Sequence, residues 1–478
     1  MSLLGPKVAA ANAVGALARR AGRGGGTSLP GKVLMRVEPH AIGLLASRLE
    51  HGNVVVSATN GKTTTAAMIA SILELDGHRL VHNRAGANMA GGVASALAAA
   101  SRRGGRALDG DLGLFEVDEF WLGSVVDELA PRALLLANLF RDQLDRYGEL
   151  DTIADRWAEV VARRPAGTRL VLNADDPLVA DLARAGARTD EPTPPTATAL
   201  DDDPALPLHF GVEDDAMAQA ELQHASDSKH CRRCGHAYVY EVAYLGHLGR
   251  YHCPHCGARR PRPAVAARAV ALQGIRSAAF TLDTPAGERR VELPLPGLYN
   301  VYNALAAAAL TLSLGVDLDT VAAGLAAVEP AFGRAETVLL GGRPTSILLV
   351  KNPAGANEVL RTLTLEGGEL DLFGVLNDRI ADGRDVSWVW DADWELLVPS
   401  VRRMTCSGTR AHELALRMKY AGVDPARLHV VEDLAEGLDA ALAASPAPTP
   451  LYAIPTYTAL LALQELLTAR GATREFWR

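Results

Sequence analysis

Cysteine is scarce in this chain, and the few cysteines that occur are unevenly placed. The 478 residues contain five, and four of them form two close pairs, Cys231 with Cys234 and Cys253 with Cys256. Close cysteine pairs in a long chain are more typical of metal binding than of a disulfide framework. The pattern therefore indicates a metal site.

Long apolar runs and an excess of positive charge are also missing. No stretch reaches 18 apolar residues without a charge, so we expect no transmembrane segment. The net charge of −8 argues against wholesale nucleic-acid binding, so we expect no nucleic-acid partner, although a local basic patch is left open. Gly5 and Pro6 interrupt what would be the hydrophobic region of a signal peptide. We expect a cytoplasmic protein whose residues 1–45 form a helical segment, either packed on the body or lying at the inner face of the membrane.

The chain is long enough for two or three domains. From about residue 46, apolar strands alternate with helical segments, which predicts an α/β fold with a parallel sheet and helices on both faces. A second run of strands and helices follows, including "SILLVKNP", "LDLFGVL" and "WELLVPS" (394–400) as predicted strands. We therefore predict a central domain over residues 46–335 and a C-terminal, Rossmann-like α/β domain over residues 336–478.

The segment "ATNGKTTT" (58–65), here called the phosphate loop, lies between a β-branched run and a predicted helix. A loop between a strand and a helix directs backbone N–H groups and the helix N-terminus at a polyphosphate. Lys62 would reach the phosphates, and the Thr63 hydroxyl would bind Mg²⁺. The full pattern G-x-x-x-x-G-K-[ST] requires glycine at position 56, where this chain has valine. Either the match is accidental, or the segment is a variant nucleotide-binding loop of a particular family.

This loop resembles the ATP loop of the Mur ligases, the peptide-forming enzymes of peptidoglycan synthesis, which share an ATPase domain with folylpolyglutamate synthetase and usually lack the early glycine too. Further segments match in the family's order over roughly residues 52–340: "FEVDE", "ANLFRDQLDRYG", "LNADDP", "GLYNVYNALAA" and "FGRAE". The resemblance implies a P-loop ATPase with Mg²⁺ held by Thr63 and Glu116. It also implies a set of ATP-binding residues: Thr59, Asn60, Gly61, Lys62, Thr63, Thr64, Asn300, Asn303 and Arg334.

Several departures from the Mur ligase pattern limit what the resemblance implies. The histidine expected after Asp142 is Gln143, and residues 144–165 contain no lysine, although many Mur ligases carbamylate a lysine there to bridge two Mg²⁺ ions. The histidine before Asn300 is Tyr299, and Lys351 stands in the place of the third domain's motif histidine. These changes argue against the standard two-metal arrangement and against an amino acid as second substrate.

The two cysteine pairs are spaced as C-x2-C, eighteen residues, C-x2-C, and each pair is followed by glycine. Four thiolates at this spacing suit a closed tetrahedral zinc site without an open catalytic position. We predict a structural zinc-ribbon insertion at about residues 224–262, and the alternatives are a redox pair and a chance cluster of cysteines. Basic residues nearby leave nucleic-acid binding open, but neither a recognition helix nor an aromatic-basic repeat accompanies them. These basic residues are Lys229, Arg232, Arg233, Arg250, Arg259 and Arg260.

Together with this insertion, "NDRIADGRDVSWVWDADWE" (377–395) and "YAIPTYTALL" (452–461) resemble one subgroup of the family, the synthetase subunits of lipid II isoglutaminyl synthases. The resemblance implies ATP-dependent amidation of the α-carboxyl of D-glutamate in the lipid II stem peptide, giving D-isoglutamine through an acyl phosphate. The candidate catalytic carboxylates are Asp382 and Asp385, in addition to Glu116, and Asp385 is preferred over Asp382.

The source of ammonia distinguishes the hypothesis of an amidating synthetase subunit from its alternatives. Cys406, the fifth cysteine, lies in "RMTCSGT", which lacks the G-x-C-x-G segment of class I glutaminases. The chain is therefore predicted to activate a carboxylate but not to produce ammonia, and the resemblance implies a GatD-type glutaminase partner. The alternatives are a stand-alone amino-acid ligase of the Mur or folylpolyglutamate type and a zinc-ribbon nucleic-acid ATPase.

Overall fold

The computed structural model describes residues 4–20, 28–83, 87–102, 105–142, 150–186, 196–200, 203–223, 226–329 and 334–472. The helices in these ranges are α1 Leu4–Arg20, α2 Leu29–Val37, α3 Ala41–Ala46, α4 Lys62–Leu75, α5 Ala90–Ala100, α6 Leu122–Leu129, α7 Leu150–Arg163, α8 Pro177–Asp181, α9 Leu298–Ser313, α10 Leu318–Ala326, α11 Pro353–Thr364, α12 Ala411–Ala421, α13 Leu434–Ala443 and α14 Tyr457–Ala469.

The strands in the same ranges are β1 Asn53–Ser57, β2 Leu80–His82, β3 Ser101–Arg102, β4 Ala107–Leu108, β5 Leu112–Glu116, β6 Ala133–Leu136, β7 Arg169–Asn173, β8 Leu208–Val212, β9 Val239–Leu245, β10 Leu248–His252, β11 Val265–Gln273, β12 Ser277–Thr284, β13 Gly287–Leu293, β14 Arg334–Leu340, β15 Arg343–Leu348, β16 Leu370–Val375, β17 Val401–Ser407, β18 Leu428–Val430 and β19 Leu451–Pro455.

The first sheet has nine strands within the described residues, in the order β13-β12-β11-β8-β7-β6-β1-β5-β2. Neighbouring strands from β11 to β2 pair in parallel, so the predicted parallel sheet is confirmed for this part. The sheet then continues with antiparallel β12 and β13, which the sequence analysis did not predict. The connections before and after β12 are only a few residues long, and such short connections join antiparallel strands.

Both faces of this sheet are covered, which explains why β1 is a continuous apolar run rather than an alternating one. Val54 and Val56 belong to the core cluster on the side of α4, α9 and α10. Val55 belongs to the other cluster, which α1, α2, α3, α5 and α6 form on the opposite face. Successive side chains of a strand point to opposite faces, so every residue of a doubly covered strand meets apolar neighbours.

The N-terminal helix packs on the body, as one of the two sequence-based alternatives predicted. Leu4, Val8 and Ala11 of α1 are buried at helical spacing in the same cluster as α2 and α5. The amide of Asn12 donates to the carbonyl oxygen of Ala98 at 2.9 Å. None of the helices in the described ranges combines the length and the hydropathy that crossing a bilayer requires.

The second sheet has six strands in the described part of the chain, in the order β14-β15-β19-β16-β17-β18. Its strands are parallel except for β14, which forms a hairpin with β15 through Gly341 and Gly342. Both glycines have positive φ, 55° and 79°, a region that favours glycine in a two-residue hairpin turn. The predicted domain boundary near residue 335 falls at the start of β14 and stays a prediction.

The predicted strand at residues 394–400 is wrong. Trp394–Ser400 forms a 3₁₀ helix, in which Trp394 and Leu397 are buried while Leu396 is exposed. Burial of residues three apart fits a 3₁₀ turn, whereas a strand covered on one face would bury residues two apart. Pro399 also lacks the N–H group that a central strand would need.

Candidate active site

The phosphate loop joins β1 to α4 at the carboxyl edge of the first sheet. Gly61 has φ of 83°, and a Cβ atom there would lie 2.1 Å from Oδ1 of Asn303, so this position requires glycine on two grounds. The N–H of Asn60 donates to Oδ1 of Asn138 at 2.9 Å, and the N–H of Thr59 donates to the Asn138 carbonyl at 3.0 Å. Asn138 follows β6, so the neighbouring strand fixes the shape of the loop.

Lys62 begins α4 and is buried. Its Nζ donates to Oε2 of Glu119 at 2.8 Å and to the carbonyl oxygen of Ala58. Burial alone would lower the pKa of Lys62, but the nearby carboxylates, above all Glu119, outweigh it and raise that pKa. Burial would likewise raise the pKa of Glu119, but Lys62 and Lys351 outweigh it and lower that pKa. Both groups are therefore charged.

Glu119 is a site residue that the sequence analysis did not select. It is the last residue of "FEVDE", the segment in which only Glu116 was chosen. The second glutamate of that segment was the sequence feature that could have identified Glu119. The sequence alone, however, could not show that Glu116 pairs with Thr63 and Glu119 with Lys62.

Thr63 and Glu116, the predicted magnesium ligands, lie side by side. The Thr63 hydroxyl donates to Oε1 of Glu116 at 3.1 Å. Glu116 ends β5, and its backbone N–H and carbonyl are held by the amide of Asn83 at 2.9 and 2.8 Å. A hydroxyl and a carboxylate oxygen are hard ligands of the kind that Mg²⁺ accepts beside phosphate oxygens, so this pair fits the predicted ion.

The predicted nucleotide residues of α9 also reach the phosphate loop. Asn303 accepts a hydrogen bond from the Thr65 hydroxyl at 3.2 Å and donates to Oδ1 of Asn300 at 3.1 Å. Thr64 lines the same pocket as these two asparagines. By contrast, the side chain of Arg334 lies outside the described residues, and so does Gln143.

An open pocket of about 940 Å³, here called the large pocket, lies between the two sheets. The phosphate loop and three asparagines, Asn138, Asn300 and Asn303, contribute polar groups, Lys351 and Glu358 contribute charged ones, and apolar side chains from four segments line much of the rest. A mostly apolar cleft with a few polar groups is typical of a small-molecule site, and here it would suit a nucleoside base. The apolar and aromatic lining residues are Phe140, Leu245, Leu248, Tyr299, Tyr302, Leu348, Leu349, Ala354 and Val359.

The four paired cysteines come together in one cluster. The sulfur atoms of Cys231 and Cys256 are 3.6 Å apart, and those of Cys234 and Cys253 are 3.4 Å apart. All four lie within 4.8 Å of one another. Sulfur atoms around a tetrahedral zinc with bonds of about 2.3 Å would be roughly 3.8 Å apart, so the cluster fits the predicted ion.

The hairpin between the cysteine pairs reaches the large pocket, which the sequence did not predict. Strands β9 and β10 run from the cysteine cluster to a tip at residues 245–248, and Leu245 and Leu248 at this tip line the large pocket. His247 is fully buried at the tip, with its ring 4.6 Å from that of Phe140 and its Nε2 3.4 Å from Oδ2 of Asp176. The cysteine cluster and the pocket are thus opposite ends of one hairpin.

Both carboxylates of "LNADDP" are engaged inside the protein. Asp175 accepts from the hydroxyl of Tyr302 and from Nε of Arg260, each at 2.6 Å. Asp176 caps α8 and accepts from the N–H of Leu139 at 2.8 Å. Because Arg260 follows the second cysteine pair closely, Asp175 ties the ribbon to α9.

A smaller cleft of about 470 Å³ is lined by Arg141 and Asp142, which follow β6, and by residues that follow β15 and β16, and it shares Lys351 with the large pocket. Lys351, which replaces the motif histidine, donates to the Thr59 carbonyl at 3.0 Å and to Oδ2 of Asp142 at 2.5 Å. It borders the large pocket as well. The second sheet and its helices, residues 334–472, are here called the C-terminal unit. Lys351 therefore holds this unit against the phosphate loop at the point where the two cavities meet.

The two candidate aspartates of the C-terminal unit both line the small cleft but differ in their bonds. Asp382 is buried and accepts from the N–H of Thr458 at 2.7 Å, near the start of α14, and from the N–H of Arg379. Asp385 is exposed and accepts from the N–H of Ser387, which lowers its pKa. Asp382 therefore fixes the loop to α14, while Asp385 is the carboxylate that remains accessible from the cleft.

Comparisons with known proteins agree with this architecture. Residues 56–246 match the model of the Mur ligase middle domain, and residues 349–460 match that of the MurT ligase C-terminal region. A pseudomurein peptide ligase type C from Methanothermus fervidus has a similar fold, with a TM-score of 0.65 and 22% identity over 89% of this chain and 80% of that chain.

Two bacterial relatives match at higher identity and carry the same name, lipid II isoglutaminyl synthase (glutamine-hydrolyzing) subunit MurT. The protein from Staphylococcus aureus (strain N315) is 32% identical over 412 residues, which cover 85% of this chain and 86% of that protein. The protein from Streptococcus pneumoniae (strain ATCC BAA-255 / R6) is 31% identical over 456 residues, 95% of this chain and 94% of that protein. The chain therefore belongs to the MurT family of Mur-type ligases.

Proposed function

We propose that this chain is the synthetase subunit of a lipid II isoglutaminyl synthase. It amidates the α-carboxyl of D-glutamate in the lipid II stem peptide, at the inner face of the membrane, with ammonia from a glutaminase subunit. The names of its relatives support the reaction. The observation that carries the proposal is the meeting of the two units at Lys351, where the phosphate loop, the large pocket and the small cleft adjoin.

The first half of the reaction belongs to the phosphate loop. When bound, ATP supplies the phosphoryl group that converts the substrate carboxylate into an acyl phosphate, and Mg²⁺ offsets the phosphate charge. Thr63 and Glu116 would hold the ion, and the buried Lys62 supplies a fixed positive charge. Glu119 keeps the ammonium at the start of α4, where the helix N-terminus also favours anions.

Removing the positive charge of Lys62 should stop ATP turnover. Lys62→Ala alone would leave Glu119 buried and unpaired, which costs about 3–5 kcal/mol and would confuse the result. The double variant Lys62→Met/Glu119→Gln removes both charges, so we expect near-wild-type melting with ATP turnover reduced by at least about 10²-fold. Lys419→Met, at an exposed lysine of α12, is the control. ATP turnover at the wild-type rate in the double variant would refute the assignment.

The second half belongs to the small cleft. Attack of ammonia on the acyl phosphate forms the amide bond, releases phosphate and leaves a surplus proton on nitrogen. In this proposal Asp385 orients ammonia and accepts that proton, which is supported by its accessibility in the cleft and its hydrogen bond from the Ser387 N–H. Asp382 acts indirectly, because its bonds to Thr458 hold the loop that carries Asp385.

Asp385→Asn keeps the size of the side chain and removes its charge. We expect ATP affinity to remain unchanged while amidation falls by roughly 10²-fold or more, within the range of positioned acid–base groups. Asp382→Asn is the comparison: it should lower the melting temperature, since a carboxylate that accepts at the start of α14 becomes an amide. The readout is mass analysis of lipid II. Wild-type amidation by Asp385→Asn would exclude an acid–base role for this carboxylate.

The four paired thiolates bind one structural zinc in this proposal, and the bound ion would hold the two ends of the hairpin together. Since Leu245 and Leu248 lie at the tip of the same hairpin, loss of the metal should disturb the large pocket as well as the ribbon.

Cys253→Ser should therefore reduce the zinc content and also weaken ATP binding. Metal analysis of freshly purified protein and equilibrium nucleotide binding are the two measurements. Cys406→Ala, which removes a buried thiol outside the cluster, is the matched control and should retain zinc. Wild-type protein without zinc would contradict the metal site, and unchanged ATP affinity in zinc-free Cys253→Ser would contradict the link to the pocket.

Ammonia has to come from a partner, here a GatD-type glutaminase. Burial raises the pKa of the Cys406 thiol to about 12, so this cysteine is not a thiolate nucleophile.

The C-terminal unit carries an exposed aromatic pair beside the small cleft. The rings of Trp390 and Tyr420 are 5.9 Å apart, and the guanidinium of Arg417 lies 5.7 Å from the Trp390 ring. Arg417 is itself buried beneath this pair, so the exposed part of the surface is aromatic, and Trp and Tyr are among the residues that dominate interface energetics. We place the glutaminase on this surface, close to where ammonia is consumed.

Trp390→Ala/Tyr420→Ala in the full chain should weaken binding of the co-expressed glutaminase by about tenfold or more while ATP binding stays intact. Leu44→Ala, at an exposed leucine of α3, is the control. If the double variant co-purified with the glutaminase in the same ratio as the wild-type chain, the interface would have to lie on another surface.

A further inference from the structure

Glu358 on α11 is a buried carboxylate that the reaction described above does not use. Its side chain lines the large pocket, and within the described residues no hydrogen-bond donor reaches its Oε1. The nearest guanidinium atom, Nε of Arg361, is 3.8 Å away, too far for a hydrogen bond. Burial raises the pKa of Glu358 to about 7, an effect that Arg361 partly offsets. An unsatisfied buried carboxylate destabilises a protein, so its presence in a pocket points to a ligand.

The position of Glu358 along α11 indicates which part of a ligand it meets. Asn352 caps this helix, and its amide donates to Oδ1 of Asn60 in the phosphate loop at 3.0 Å, so the start of α11 is fixed beside the loop. Glu358 lies five residues beyond Pro353, which corresponds to about 8 Å along the helix axis. A nucleotide with its phosphates on the loop would therefore present its sugar, rather than its phosphates, to this carboxylate.

We propose that Glu358 binds the ribose 2′- and 3′-hydroxyls of the nucleotide, an inference that rests on the proposed ATP-dependent function. A cis-diol offers two O–H donors, and a carboxylate offers two acceptor oxygens, so the pair can form two charge-assisted hydrogen bonds. The amino group of adenine fits less well, because a ring nitrogen beside it would turn a lone pair toward the second carboxylate oxygen. The C-terminal unit thus recognises the sugar, while the phosphate loop of the first unit recognises the phosphates.

The test measures nucleotide affinity rather than turnover, with the full chain in complex with its glutaminase. Three ligands are compared: ATP, 2′-deoxy-ATP and purine riboside triphosphate, which lacks the adenine amino group. Wild-type protein should bind ATP about tenfold more tightly than 2′-deoxy-ATP, the loss expected for one charge-assisted hydrogen bond. Glu358→Met should weaken ATP binding about tenfold and bring the ATP to 2′-deoxy-ATP ratio close to one.

Melting temperature without nucleotide separates a ligand-binding role from a structural one. Glu358→Met replaces an unsatisfied carboxylate by an apolar chain of similar length, so its melting temperature should equal or exceed that of the wild type. Glu366→Met is the matched control. Glu366 accepts from the N–H of Ile275 at 2.8 Å and from the Tyr452 hydroxyl, so its removal should lower the melting temperature and leave nucleotide discrimination unchanged.

The outcomes distinguish this inference from the proposed function. If Glu358→Met retains the wild-type preference for ATP over 2′-deoxy-ATP, or loses instead the preference for ATP over purine riboside triphosphate, ribose recognition is overturned and the proposed reaction stands. A lower melting temperature in Glu358→Met with unchanged discrimination would make the residue structural. Absence of ATP binding by the wild-type complex would overturn the proposed function and this inference together.

Discussion

The buried ion pair between Lys62 and Glu119 is the interaction on which the site depends. A lysine ammonium is costly to bury, and here the carboxylates at the end of the neighbouring strand keep it charged. Because Lys62 is also the first residue of α4, the pair fixes the helix start against β5. The same strand end presents Glu116 to Thr63, so one short segment positions both the ammonium of Lys62 and the two residues predicted to bind Mg²⁺.

Lys351 is where the two units meet, and it explains how one chain can separate two chemical steps. The residue contacts the phosphate loop and Asp142, and it borders both cavities. A nucleotide would occupy one side, and the exposed Asp385 lies on the other, so under the proposed mechanism a phosphorylated substrate would have to move little between the steps. The ammonium of Lys351 at this border would also stabilise the negative charge of the phosphate groups in both steps.

The cysteine ribbon shows how an insertion can become part of a site. Its four-cysteine cluster lies at one end of a hairpin, and the tip at the other end lines the large pocket. Arg260 and the buried His247 tie the ribbon to Asp175 and Asp176 of the central unit. These bonds explain why both aspartates of the "LNADDP" segment are engaged internally rather than directed at a ligand.

The sequence by itself determined the features that depend on neighbouring residues: the loop between β1 and α4, the parallel strands, several of the helices, the four-cysteine cluster and the family. It also brought Thr63 together with Glu116, because the resemblance assigned them jointly. Only the tertiary structure showed that Asp382 accepts from Thr458 at the start of α14 while Asp385 is exposed, paired Glu119 with Lys62 and carried the ribbon tip into the pocket. Each of these contacts joins residues far apart in the chain, so chain folding, rather than local spacing, decides which carboxylate a helix start binds and which is left exposed.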